Sequence, residues 1–585
     1  MKEILALILA AGLAASACTN PTTEPGKTEA TTGEQTTVQT ASVKHSDEEI
    51  EKRINEVGKE YDGLYEYGED NAITFGSLSI KSRMTNSPTS NSEMVQEDGL
   101  APDEAFLPYE VVPETDWNTE GYNEVKDNGL ISVQTQPFST FGADTDTAVY
   151  SNLRRRFYEN DGHGITDNAI RYEELINYFN YNYPEPKEGE KFAAVTDLTA
   201  CPWVDDKETM LLRVGIKADS ISADKGSNIV FLVDTSGSMF FPNKLPLVQK
   251  SLKMLQEQFT DNDTISIVTY AGEEKVVCEG LKGSEHDAIV QAIDSFEAYG
   301  STNGEGGINK AYEIAKKYFI QGGNNRVILA TDGDLNVGIS SEAGLIELIE
   351  EKKETGIFLS CLGFGDGNYQ DAKMEALADH GNGNYAYIDC SREAERVLKD
   401  EFRSTLFTVA KDVKFQVEFN PAKVKAYRLV GYENRKMDAE DFANDAKDGG
   451  EVGSGQCVTA LYEVVTVNSQ REVPEVASRY NNDNKGSEGD ELLMVNIRYK
   501  EPDENESKLL EYPVTQQMYS ETPDEDTVWA AGVAQFGMLV RDSQYKGTSS
   551  YKGIYDSLKN DSRIFDDDLR AEFLYLISLV NKSEK

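Results

Sequence analysis

Histidine is almost missing from this sequence, cysteine is sparse, and positive charge is in deficit. Among 585 residues there are four histidines, His45, His163, His286 and His380, and six cysteines. The histidines are scattered, so no Ser–His or Cys–His pair offers itself as nucleophile and base, and surface placement is the default for each. No CxxC or Cys/His cluster has zinc-ligand spacing. HExxH and GxSxG are absent, and "GSGQC" (453–457) lacks a following GK[ST], so it is a loop and not a phosphate cradle. Lys and Arg total 57 against 103 Asp and Glu, a net charge of −46. Such a surface repels phosphate backbones and excludes nucleic acid as a partner; it suits solubility and the binding of cations.

Long apolar runs are missing too, with one exception at the start. "MKEILALILAAGLAASACTN" opens on Lys2 and runs apolar from Ile4 to Ala15. That is too short for a permanent transmembrane helix and fits a signal-peptide core, residues 1–17. Ala15-Ser16-Ala17 is compatible with ordinary secretion, whereas Cys18 directly after it suits a lipobox. The segment 19–42, rich in Thr, Glu, Pro and Gly, cannot bury enough apolar surface to fold. A tether behind an anchor is the favoured expectation: an extracytoplasmic lipoprotein attached to the membrane through Cys18 alone, or a secreted protein where Cys18 carries no lipid. The remaining thiols, Cys201, Cys278, Cys361, Cys390 and Cys457, are widely spaced and their pairing is left open; Cys361 lies in an apolar run and reads as a buried thiol.

What is present is a change of texture along the chain. A stalk with a short polar helix, "SDEEIEKRINEVGKEY" capped by Ser46, covers 18–62. Residues 63–225 form an α+β region, with helices expected over 139–160 and 170–186 and strands over 192–203 and 209–218. Between 226 and 402 short apolar strands alternate with amphipathic helices. This pattern specifies a Rossmann-like α/β domain, a mostly parallel sheet covered on both faces. The link between "TISIVTY" and "EKVVC" is too short for a crossover, so one of these strands must run antiparallel, at an edge. Helix 284–296 is expected to take Ser284 as its N-cap. Residues 403–585 read as a β-rich region with period-two strands, ending in two helices, 526–543 and 566–582.

The strand "VFLVDTSGSM" ends on Asp234, Ser236 and Ser238. Ligands of open α/β sheets sit at the carboxyl ends of the strands, and a D-x-S-x-S turn aims three oxygen side chains into one concavity. Thr302 in "YGSTNGEGG" and Asp332 in "LATDGD" are expected at the same edge. Carboxylates and hydroxyls without thiol or imidazole form a hard-cation set, Mg²⁺ first, with Mn²⁺ or Ca²⁺ as alternatives. Only two members are charged, and with neutral hydroxyls making up the rest a bound cation keeps a replaceable position able to take a partner's carboxylate. Asp144 and Asp146 read as turn and N-cap residues rather than a second metal site.

"DTSGSM", the threonine of "GSTNGEGG" and "TDGD" resemble the metal-ion-dependent adhesion site (MIDAS) of von Willebrand factor type A (VWA) domains. The resemblance covers about 226–400 and implies the set Asp234, Ser236, Ser238, Thr302 and Asp332, with one or both acids acting through water. Asn303 and Asp334 adjoin it and receive no ligand role. The flanks, "QPFSTFGADTDTAVYSNLRR" and "VTALYEV" among them, resemble a bacterial subfamily of VWA envelope lipoproteins with an N-terminal VWA-associated extension and a C-terminal region of undefined role. At Gln456-Cys457 this chain departs from the subfamily, where a His is expected. The reading is a non-enzymatic binding module that captures an acidic residue of a protein partner. A metal-dependent hydrolase and an envelope scaffold with a purely structural metal are the alternatives.

Overall fold

The chain divides into two units, Met1–His45 and Ser46–Lys585. The computed structural model describes residues 45–65, 119–143, 146–159, 169–220, 226–334, 342–402, 404, 407–447, 449–474, 486–502, 504 and 506–583. The signal peptide, Cys18, the stalk before residue 45, His163 and Asp144 lie outside these residues.

The strand Ser227–Asp234 is buried from end to end because both faces of its sheet are covered. Ile229, Phe231 and Val233 meet Val248, Leu252 and Leu255 of the helix Leu245–Gln256, and Ile289 and Ile293 of the helix His286–Asp294. Val230 and Leu232 face the other way, against Ile308 and Ala311 of Gly304–Lys317 and Met374 and Leu377 of Asp371–His380. Period-two alternation with both faces apolar gives a continuous hydrophobic run. The sheet runs Tyr385–Ile388, Phe358–Phe364, Asn324–Thr331, Ser227–Asp234, Thr264–Tyr270 and Glu274–Lys282. Every pair is parallel except the last, where the edge strand Glu274–Lys282 is antiparallel. The doubly wound domain and its antiparallel edge are therefore as the sequence pattern specifies.

The two flanks build one β-sandwich between them. One sheet orders Ile131–Ser132, Val424–Val430, Cys457–Thr466, Thr209–Ala218 and Phe192–Ala200; the other orders Lys436–Met437, Phe138–Gly142, Thr408–Phe419, Glu491–Lys500 and Ser507–Thr515. Both sheets thus combine strands from before and after the α/β domain. Their inner faces, among them Leu212, Val214, Ile216 and Tyr462 of one sheet against Phe415 and Val417 of the other, form one core. Leu211, Val430 and Leu461 point out of the sandwich into a helical layer made by Asp47–Tyr65, Ala148–Glu159, Glu525–Val540, Tyr551–Leu558 and Asp568–Ser583. The first of these helices lays down Ile50, Ile54, Val57 and Tyr61 as a buried stripe at helical spacing. Its Ser46 Oγ accepts from Glu49 N at 3.3 Å while Glu49 Oε2 accepts from Ser46 N at 2.8 Å, a reciprocal capping box.

Three local expectations are corrected. The segment 139–160 begins as the strand Phe138–Gly142, drawn into a ladder by Thr408–Phe419, and is helical only over Ala148–Glu159. The segment 170–186 is helical only over Tyr172–Asn177; beyond it Phe179, Tyr181 and Tyr183 are buried while Asn180 and Asn182 are exposed, the alternation of extended chain. Ser284 does not cap its helix, whose N-cap is Glu285; its hydroxyl bonds Asp261 instead. Asp146 Oδ1 accepts from Tyr385 N at 2.8 Å and Oδ2 pairs with Arg435 at 3.2 Å, pinning the α/β domain to the sandwich. The thiols of Cys201, Cys278, Cys361, Cys390 and Cys457 are all free.

Candidate metal centre

Asp234 is the last residue of the central strand and is fully buried. Its neighbours hold it from three sides. Ser236 N donates to Oδ1 at 2.8 Å, closing the turn; Thr331 Oγ1, from the strand on one side, donates to Oδ2 at 2.8 Å; and Tyr270 OH, from the strand on the other, donates to Oδ2 at 3.4 Å. The chain then tightens into a single turn over Gly237–Phe240, and the Ser236 and Ser238 hydroxyl oxygens stand 3.1 Å apart. The loop carrying Thr302 is stitched to this turn. Tyr299 N donates to Thr235 O at 2.8 Å, Gly237 N to Gly300 O at 3.0 Å, and Asn303 N to Ala271 O at 2.6 Å. Asn303 caps the helix that follows by accepting from Gly306 N, which accounts for it without a ligand role. Thr302 itself is 8% exposed.

Asp332 follows the adjacent strand and is also fully buried. Oδ1 accepts from Asp334 N at 3.1 Å. Oδ2 accepts from Lys244 Nζ and from Asn368 Nδ2, both at 3.0 Å, and Lys244 Nζ donates in turn to Asn368 Oδ1 at 2.5 Å. Burial, and after it the charge of Asp332, pushes the Asp234 carboxyl up to about 6. Two mutually repelling buried carboxylates beside adjacent neutral hydroxyls, all oxygen, are a donor set that fits a hard divalent cation. Asp234, Ser236, Ser238 and Asp332, with Thr302 on its stitched loop, would hold it.

Three aromatic side chains near the donor set in sequence are exposed. Phe240 is 72% exposed, Phe241 59% and Tyr299 61%, each on a loop that carries part of the donor set.

A family model for the von Willebrand factor type A domain matches residues 228–401, one described as von Willebrand factor matches 116–213, and one described as Uncharacterized protein YfbK, C-terminal, matches 404–583. The Uncharacterized protein YfbK of Escherichia coli (strain K12) is 40% identical over 476 residues, 79% of this chain and 81% of that protein. The chain belongs to the YfbK family of VWA proteins. Its VWA domain is a member of a class of protein-interaction domains. The human inter-alpha-trypsin inhibitor heavy chain H3 is 27% identical over 177 residues, 29% of this chain and 20% of that one. Among solved structures, a von Willebrand factor type A protein from Catenulispora acidiphila aligns at 14% identity over 66% of this chain and 98% of that one, with a TM-score of 0.36.

The VWA motif carried no signal for Lys244, Asn368, Thr331 or Tyr270, which hold its two acids in place. The first stands at a helix start where a small polar cap is expected, and that misfit was the one available clue. His286 and His380 are engaged elsewhere, with Gln256 and Glu350.

Proposed function

We propose that this chain is an extracytoplasmic lipoprotein of the cell envelope, anchored through Cys18, whose VWA domain binds Mg²⁺ at Asp234, Ser236, Ser238, Thr302 and Asp332 and captures an acidic side chain of a protein partner. The observation that carries the reading is the pair of fully buried carboxylates, Asp234 and Asp332, at the carboxyl edge of adjacent parallel strands beside the two serine hydroxyls. When bound, the cation supplies a Lewis-acid position for a carboxylate. The chain's own groups do the rest. Ser236 N, Thr331 and Tyr270 hold Asp234, Lys244 and Asn368 hold Asp332, and Phe240, Phe241 and Tyr299 offer apolar contact area. The role is one of binding and not of catalysis.

A structural role for the metal is the second reading, and one observation favours it. Asn368 sits in a loop tied to the N-terminal extension: Gly367 N donates to Glu120 Oε1 at 2.8 Å and Thr119 N to Gly367 O at 2.7 Å. A cation that positions Asp332 would therefore also bear on the join between domain and extension. The test is affinity capture from envelope extract by residues 46–585 in Mg²⁺, in EDTA, and with Asp234→Ala. The capture reading expects a partner retained only with Mg²⁺ and intact Asp234, at unchanged melting temperature. Identical captures in all three conditions would contradict it. Loss of capture together with a collapsed melting temperature in EDTA would favour the structural role.

A further inference from the structure

Lys244 is a cation where local rules place none. It occupies the N-cap of the helix Leu245–Gln256 without a side-chain cap bond. Small polar residues are preferred there, and the helix macrodipole opposes positive charge. The side chain turns instead into the metal centre, where the residue is 3% exposed and its ammonium bridges Asp332 and Asn368. Its route is kept open by Gly365. A Cβ there would lie 2.4 Å from Lys244 Cγ and Cε, and the backbone φ of +79° disfavours any other residue. A buried ammonium that breaks the capping rule, with a glycine reserved for its stem, is a built feature of the centre.

Its consequence is a matter of charge. Asp234 and Asp332 contribute two negative charges, and the serine and threonine hydroxyls none. Without Lys244, a divalent cation would leave the centre neutral. With Lys244, the loaded centre carries one surplus positive charge in a buried setting, which is unfavourable until an anion arrives. We propose that Lys244 is the specificity-determining residue of the centre: it makes metal retention depend on an anionic ligand, so that the cation and the partner's carboxylate are held cooperatively. The proposal rests on the metal-capture reading above and adds the sign and origin of the coupling. Linkage makes that coupling reciprocal, so a carboxylate raises metal affinity by the factor by which metal raises carboxylate affinity. Neutral segments of the partner gain nothing from the centre, and a chain of net charge −46 can still hold an acidic ligand at one point.

The test uses the full chain in detergent and Mn²⁺ as the probe, with free Mn²⁺ read by electron paramagnetic resonance. Titrations are run in chloride and in acetate at equal ionic strength, with protein-free blanks to subtract the acetate–Mn²⁺ complex. Wild type is expected to bind Mn²⁺ at least about fivefold more tightly in acetate. Lys244→Met is expected to bind at least about tenfold more tightly than wild type in chloride and to lose the acetate dependence, while Lys244→Arg retains it. Equal wild-type affinity in the two anions, or unchanged acetate dependence in Lys244→Met, would overturn the proposal while leaving the metal site standing. Should Lys244→Met fail to fold, the wild-type comparison decides alone. Absence of Mn²⁺ binding by wild type in both anions would overturn the metal-capture reading and this proposal with it.

Discussion

At the scale of single residues, the candidate centre separates its oxygen donors from the groups that hold those donors still. Asp234 and Asp332 each have their protein-facing oxygens occupied by donors from neighbouring strands and loops. Their geometry is therefore set before any cation arrives. In the proposed capture the exposed aromatics have a different role. Replacing Phe240 and Phe241 together with serine should leave Mg²⁺ affinity unchanged and weaken partner binding by about 1–3 kcal/mol, measured by titrating the captured partner against both proteins. Equal partner affinity would show that these aromatics contribute no contact. The candidate donors could be picked out in the sequence because Asp234 closes one apolar strand and Asp332 follows another, the two serines follow in the D-x-S-x-S turn, and Thr302 lies in a glycine-flanked loop before the helix Gly304–Lys317. Lys244 and Asn368 were not legible: their roles come from loops 88 and 36 residues from Asp332 in sequence, which meet only when the sheet closes.

At the scale of elements, buried charge pins the helical layer to the VWA domain. Arg154, on the helix Ala148–Glu159, reaches Asp389 at 2.7 Å and Glu393 at 2.8 Å with all three side chains buried. Between that helix and Asp568–Ser583, Glu572 accepts from Tyr150 OH at 2.5 Å and from Tyr158 OH at 3.3 Å. Burial pushes the Glu572 carboxyl from the ordinary 4.5 up to about 7. The unfolded chain releases this proton near 4.5 and the native chain near 7, so between those values the native state holds more protons. Stability from this group is complete below the lower value and is lost as pH rises through the upper one. Glu572→Gln should match wild type near pH 4.5 and exceed it by up to about 3 kcal/mol at pH 8, read from denaturant melts at the two pH values. A variant that is less stable than wild type at pH 8 would contradict this account. Sequence periodicity identified the helix over 566–582 but not what it packs on, because a buried acid in an apolar stripe looks like any interruption of the pattern.

At the scale of the whole molecule, the regions before and after the VWA domain are one body. Cys457–Thr466 pairs with Thr209–Ala218, and Thr408–Phe419 pairs with Phe138–Gly142, so neither flank closes its sheets alone. Alternation along each strand was visible in the sequence, but strand order was not, since period-two patterning specifies a face and not a neighbour. Residues 403–585 expressed alone should therefore show no cooperative thermal transition by circular dichroism, whereas the whole chain should. A sharp transition in the isolated segment would contradict the interleaved sandwich. The interleaved body also carries the N-terminal extension, which meets Gly367, next to Asn368 and hence to the candidate metal centre. The most direct test of that centre is calorimetric titration of Mg²⁺ into the wild-type chain and into Asp234→Ala. The account predicts one saturable site in wild type and none in the variant, with both proteins melting cooperatively. Equal binding by the two proteins, or none by wild type, would contradict it.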